Sequence, residues 1–366
     1  MKLIRSIKCS LKFATQSKLN QLKTILSEYG KVVNFFINYF WGNTPNKLDL
    51  TKEIINLPKN TWLSYRLKTV ATREAIDMII ATKERWKNEP EKMKIPVHKG
   101  NKIYASQLIA KLNLSKKSTE FDAWLHLSCI GKEIIFDLPI KFHKHFNYLN
   151  SIGKRLNSYI ITDKYVQFCF EINTGKKKEG KNAIGIDTGI KSLASTSTGN
   201  QYGKDIEECI KRVKQCKQGS NGQKRARRAL KQRIDEVAKE VIKKEHPDLI
   251  IVEKLKNLNN KTNAKCLLAK NMRCSIGTWN WKYWLKRIEF ACQMNRVSFR
   301  TVSPFYTSQT CPSCGHVNRG NRVGEVFHCL SCGCTGNADL IASRNILNRF
   351  LMGLYGAHYK PKIVRF

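Results

Sequence analysis

Two Cys-x-x-Cys pairs, Cys311/Cys314 in TCPSCGH and Cys329/Cys332 in HCLSCGC, are separated by the 14 residues 315–328. Each pair sets two thiols on one tight turn, and two such turns supply the four thiolates of a closed, structural zinc site. Gly315 and Gly333 directly follow the second cysteine of each pair, where a chain folding back over a metal needs a residue free to turn. A reactive or disulfide-forming set is the competing reading, and the paired spacing weighs against it. His316, His328 and Cys334 are spare ligands; four thiolates already complete a tetrahedron, so these three are expected beside the metal or in solvent.

The second chemistry is that of carboxylates. Asp187 closes the apolar run Ala183-Ile184-Gly185-Ile186, Glu253 closes Leu249-Ile250-Ile251-Val252, and Asp339 opens a helical stretch. One acid where a buried strand emerges is commonplace; two of them with a third at a helix start are not. Three carboxylates converging at a sheet edge cannot all stay ionised in a small volume without cations between them. Two Mg²⁺ about 3.5–4 Å apart would activate water and stabilise the leaving oxygen of a phosphodiester. Strand-Asp, strand-Glu, helix-Asp is the order of a ribonuclease-H-like nuclease.

Strand and helix must alternate to place these acids. AIGID (183–187) and LASTST (193–198) read as a strand pair, a long basic helical stretch runs to about Lys244, and DLIIVE (248–253) is a buried strand. A Trp/Tyr-rich helix over about 279–294, the strand VSFRTV (297–302), the cysteine pairs and a last helix from Asp339 follow. Upstream, Ile7, Cys9, Leu11 and Phe13 alternate with polar residues as in a half-buried strand, and helices are expected from about Ser17 to Gly42 and from Thr61 to Trp86. Residues 96–173 read as β, and the first strand is expected to join them, leaving the helices as an insertion. The Gly/Lys-rich segment TGKKKEGKN (174–182) marks a linker.

Lys and Arg total 66 against 28 Asp and Glu, a net charge of +38 spread along 366 residues, and such a field attracts a polyanion. No apolar run approaches the roughly 20 residues of a spanning helix, and MKLIRSIKCSLKF lacks the continuous apolar core of a signal peptide, so no membrane partner and an intracellular, cytoplasmic site of action are expected. Nine of the thirteen cysteines lie outside the zinc set, scattered singly, which suits a reducing compartment. The densest basic stretch, 211–233, holds no Asp or Glu to pair with Lys224, Arg225, Arg227, Arg228, Lys231 and Arg233. Its i,i+4 like charges favour phosphate contact over a merely solvated face. Trp279, Trp281, Tyr283 and Trp284 could stack on bases, with core packing as the alternative.

GIDTGIKSLAST, IIVEKLKNL, YTSQTCPSCGH and CGCTGNADLIASRNIL resemble the signature segments of TnpB proteins, transposon-encoded relatives of type V CRISPR effectors. The resemblance covers 183–350. It implies an α/β and α+β multidomain chain in which a RuvC nuclease domain with an inserted zinc knuckle follows a β-barrel wedge domain carrying a helical recognition insertion. The implied boundaries are 1–13 and 96–180 for the wedge and linker, 14–95 for recognition, 181–304 and 336–366 for RuvC, and 305–335 for the zinc-binding domain. Asp187, Glu253 and Asp339 match the family's catalytic triad with two Mg²⁺, and Cys311, Cys314, Cys329 and Cys332 match its ligands for one Zn²⁺. Arg344 and Asn345 fall in its last motif. The implied activity is RNA-guided DNA cleavage beside a short flanking motif, with guide RNA and target DNA as partners. A nuclease-inactive guided regulator, or a transposase or resolvase on the same fold, are the alternatives. The chain departs from the family at Asn337, where His or Asp is usual, and in a short segment between Asp187 and Glu253.

Overall fold

The computed structural model describes residues 2–114, 120–255, 275 and 277–353; the tail expected after 353 lies outside them. The chain divides into two compact units, Lys2–Asn173 and Thr174–Phe366.

In the first unit, β1 (Lys2–Ser10) is followed by α1 (Gln16–Phe40), α2 (Lys52–Ile55), α3 (Tyr65–Arg85), β2 (Ile103–Ser106), β3 (Ala110–Leu114), β4 (Ala123–Leu127), β5 (Phe136–Ile140), α4 (Lys144–Ile152), β6 (Lys154–Ile161) and β7 (Tyr165–Asn173). β1 pairs antiparallel with β7 along its whole length, in a sheet ordered β1-β7-β6-β2; β3, β4 and β5 form a second antiparallel sheet. The helices thus lie in sequence between strands of one sheet. β1 begins at Lys2 and stops at Ser10, because a turn from Leu11 to Ala14 ends the alternation that the sequence extends to Phe13. α3 starts at Tyr65, not Thr61, because the Ser64 hydroxyl accepts from the Leu67 N–H as an N-cap. The all-β reading of 96–173 misses α4, whose Phe146 and Leu149 lie one turn apart and are both buried.

The second unit contains β8 (Ala183–Asp187), β9 (Ala194–Thr196), β10 (Gln201–Tyr202), α5 (Ile206–Gln215), α6 (Asn221–Glu245), β11 (Leu249–Glu253), α7 (Trp281–Met294), β12 (Ser298–Val302), β13 (Arg322–Val323), β14 (Val326–His328), β15 (Thr335–Asn337) and α8 (Ala338–Leu351). Its main sheet is ordered β10-β9-β8-β11-β12, with β8, β11 and β12 parallel and β9 and β10 antiparallel, a ribonuclease-H-like arrangement. Both faces are covered, which is why β8 and β11 are continuously apolar. Ile184, Ile186, Ile250 and Val252 face one core with Ile234, Val237, Trp284 and Ile288. Ile251 points the other way, toward Val302 and Ile346 of α8. Trp279, Trp281 and Trp284 are buried in the first of these cores, and the Tyr283 hydroxyl donates to Asp235 Oδ1 at 2.9 Å. Of the two readings left open for these rings, core packing is the one the structure supports, with Tyr283 partly buried against the same core.

Candidate active site

Strand periodicity decides where the acids point. Side chains alternate across a strand, so Asp187 shares a face with Gly185, and Glu253 with Ile251, which is the face that α8 covers. β8 and β11 are parallel neighbours, with Ile186 paired to Val252, so the next residues, Asp187 and Glu253, emerge side by side at the C-terminal edge. Gly185 lets the helix come close: a Cβ there would stand 2.2 Å from the Ser343 carbonyl oxygen and 2.8 Å from the Leu347 nitrogen. Asp339 lies one helical turn before Ser343, in the first turn of α8, where the helix dipole favours a carboxylate. Asn337 is the N-cap, its Oδ1 accepting from the Asp339 and Leu340 N–H groups at 3.1 and 3.2 Å. The departure at this position thus supplies a strong capping residue.

Asp187 senses both of the other acids. Burial, then repulsion from Glu253 and Asp339, pushes the Asp187 carboxyl well above the usual carboxylate range, against the pull of Arg322 and the Thr188 N–H. Burial also raises Glu253, opposed by a hydrogen bond from Thr307 and by the charges of Arg349 and Arg322. Arg322, on β13 between the cysteine pairs, reaches Asp339 with Nη2 2.8 Å from Oδ1. Neither Arg322 nor Thr307 was singled out from the sequence. Thr307 lies inside the quoted segment YTSQTC, which is the one available signal; Arg322 carries none. An all-carboxylate set whose charge is only partly balanced fits hard divalent cations.

The four cysteines do converge. Cys311, Cys314, Cys329 and Cys332 place their sulfurs within 4.8 Å of one another, the one such set among the described residues. Cys311 Sγ lies 3.5 Å from Cys332 Sγ, and Cys314 Sγ 3.6 Å from Cys329 Sγ. Tetrahedral zinc with bonds of about 2.3 Å spaces its sulfurs by about 3.8 Å, whereas a disulfide requires about 2.05 Å. The two turns are alike. The Gly315 N–H bonds to the Cys311 carbonyl and the Gly333 N–H to that of Cys329, each at 3.0 Å, with φ of 75° and 70° at the two glycines. The Cys311 and Cys329 N–H groups donate to the carbonyls of His316 and Cys334. These two spare candidates therefore serve through their backbones, and His328 also stays outside the set. Burial would raise the Cys311 thiol, but the N–H groups of Cys314 and Ser313 bring it down to about 6. The Cys334 N–H would lower the Cys332 thiol, but the Cys314 and Cys311 sulfurs together drive it up to about 12. Four thiolates so close need a cation, and the soft donor set fits zinc.

The basic candidates separate. Lys224, Arg225, Arg227, Arg228 and Lys231 are exposed on α6, and Arg344 is exposed on α8. Arg233 is instead held by carboxylates, with Nε 2.7 Å from Asp205 and Nη1 2.8 Å from Glu240 and 3.5 Å from Glu236. That network answers its charge within the protein, so it is removed from the phosphate-facing set.

Residues 281–346 match the family described as Cas12f1-like, TNB domain. The CRISPR-associated endodeoxyribonuclease Cas12f1 of Sulfoacidibacillus thermotolerans is 39% identical over 70 residues, 18% of this chain and 17% of that protein. InsQ of Escherichia coli (strain K12), named as a candidate RNA-guided DNA endonuclease, is 27% identical over 192 residues, 45% of this chain and 48% of that protein. The matched stretch spans less than half the length of each. A solved structure of the mini-RNA-guided endonuclease CRISPR-Cas_phi3 shares the fold with a TM-score of 0.62 at 10% identity, covering 98% of this chain and 94% of that one. A Cas12f1-sgRNA-target DNA complex gives 0.53 at 15% identity, covering 91% and 83%.

Proposed function

We propose that this chain, TnpB-like in sequence and fold, is an RNA-guided DNA endonuclease that hydrolyses phosphodiester bonds at Asp187, Glu253 and Asp339. The observation that carries the reading is the delivery of three carboxylates to one sheet edge, two from adjacent parallel strands and one from the helix laid against Gly185. Asp187, Glu253 and Asp339 would hold Mg²⁺. A pair of such ions is the arrangement that the family resemblance implies. When bound, such ions supply an activated water and charge stabilisation for the leaving oxygen. The protein's part is to hold the carboxylates in place: the Thr307 hydroxyl bonds to Glu253 and Arg322 pairs with Asp339. Cys311, Cys314, Cys329 and Cys332 would hold one Zn²⁺ as a structural clip.

The exposed cations of α6 and Arg344 are read as phosphate contacts, and the sheets and helices of Lys2–Asn173 as the barrel-like wedge (1–13, 96–180) and recognition insertion (14–95). The RuvC parts are then 181–304 and 336–366, around the zinc domain 305–335. Guide RNA supplies sequence specificity, so the protein needs mainly backbone contacts and a short reading of duplex DNA. The test is to sequence the RNA that copurifies with the protein and offer a plasmid matching its variable end. Cleavage that requires this match and stops with EDTA is expected; cleavage indifferent to the match would overturn the guided reading.

A further inference from the structure

We propose that Thr307 is the positioning residue for the Glu253 carboxylate and that α8 locks Thr307 in place through Asn345; this rests on the active-site reading above. The Thr307 hydroxyl donates to Glu253 Oε1, with the Pro304 carbonyl as its other acceptor at 3.2 Å. A hydroxyl has one proton, and a charged carboxylate competes for it better than a neutral carbonyl. Fixing Oε1 removes the rotation of a long side chain at a strand end, so the carboxylate keeps one orientation for a ligand. Outer partners of metal-binding carboxylates act in this way.

Thr307 itself cannot drift. It is 3% exposed, and the loop carrying it is pinned by α8. Asn345 Nδ2 donates to the Thr307 carbonyl at 2.8 Å and to that of Thr310 at 2.7 Å, and Arg349 Nη1 donates to the Ser303 carbonyl at 2.6 Å. Asn345 and Arg349 are both buried. Tyr306 adopts φ of 59°, a left-handed conformation costly for an aromatic residue, directly before Thr307. The same helix begins with Asp339, so one rigid element sets the third acid directly and the second through Asn345 and Thr307. The loop runs straight into Cys311, which ties this relay to the zinc knuckle.

An ordinary turn-forming threonine, bonded only to Pro304, is the alternative, and metal affinity separates the two. Mn²⁺ alone is titrated calorimetrically into the zinc-loaded, full-length chain as wild type, Thr307→Val, Thr307→Ser and Asp187→Ala, with zinc content and melting midpoint read on the same samples. Thr307→Val is expected to weaken Mn²⁺ binding by about 10–100-fold, the usual loss for an outer partner, and Thr307→Ser to restore most of it. Should the valine variant lose zinc or its fold, Thr307→Ala removes the same donor without placing a methyl against the carboxylate. Wild-type affinity in the donor-less variants, or equal losses with serine and valine, would overturn the proposal while leaving the active-site reading intact. Mn²⁺ binding that Asp187→Ala leaves unchanged would overturn the active-site reading, and this inference with it.

Discussion

In the first unit, the buried carboxylate of Glu74 accepts from the Tyr29 hydroxyl at 2.8 Å and lies 3.0 Å from Lys102 Nζ and 3.4 Å from His98 Nε2. Burial would raise Glu74, but these partners outweigh it and hold the carboxyl below the usual carboxylate range. A group whose folded value is depressed stabilises the protein above its unfolded value, and that contribution disappears as pH falls through the folded value. Unfolding of this unit is expected to become easier in acid, and Glu74→Gln to be less stable at neutral pH with a flatter pH dependence, measured by denaturant midpoints from pH 3 to 7. At Gly185, an added methyl would meet the Ser343 carbonyl oxygen at 2.2 Å. Gly185→Ala is expected to cost about 1–3 kcal/mol of overpacking and to lower DNA cleavage by shifting Asp339 off Asp187. Calorimetric melting beside a cleavage assay checks both. The acids themselves were legible because each closes an apolar run or opens a helix. Arg322 and Thr307 were not, because their roles depend on where the knuckle folds back, which no periodicity records.

The elements of the second unit follow their sequence patterns closely where burial is two-sided or amphipathic. β11 runs over Leu249–Glu253 inside the expected DLIIVE, and α8 opens at Ala338, one residue before Asp339. Short pieces escaped: β13, β14 and β15 hold two or three residues each, too few to show an alternation, and their pairing is set by the turns around the cysteines. The Trp-rich segment left two readings open because an aromatic side chain suits a base and a core equally well, and only packing decides. If the cysteine turns close on zinc, Cys311→Ser or Cys332→Ser should lose about one zinc per chain and destabilise β13 to β15. Metal analysis with hydrogen exchange reads this, and a wild type that is folded without zinc contradicts it. On α6, replacing Arg225, Arg227 and Arg228 with Gln should weaken binding to all sequences alike and reduce the log–log salt slope by about 0.7–0.9 per lost phosphate contact. Arg233→Gln, cut from its Asp205 and Glu240 partners, should lower stability and leave that slope unchanged.

For the whole molecule, a net charge of +38 favours a polyanionic partner without naming it, and the carboxylate edge is where the proposed reaction is placed. The division at Thr174 coincides with the Gly/Lys-rich segment read as a linker, a change of composition visible in the sequence. The pairing of β1 with β7 was legible only as an alternation at one end that needed a partner at the other. Binding and chemistry are thus assigned to different residues, basic surfaces for the polyanion and three acids for the bond. Cleavage of a guide-matched plasmid by the wild-type chain and Asp187→Ala, in Mg²⁺ and beside a gel-shift measurement of guided binding, tests that separation most directly. The expected result is binding of wild-type strength by the variant with no detectable cleavage; wild-type cleavage by Asp187→Ala would contradict the account.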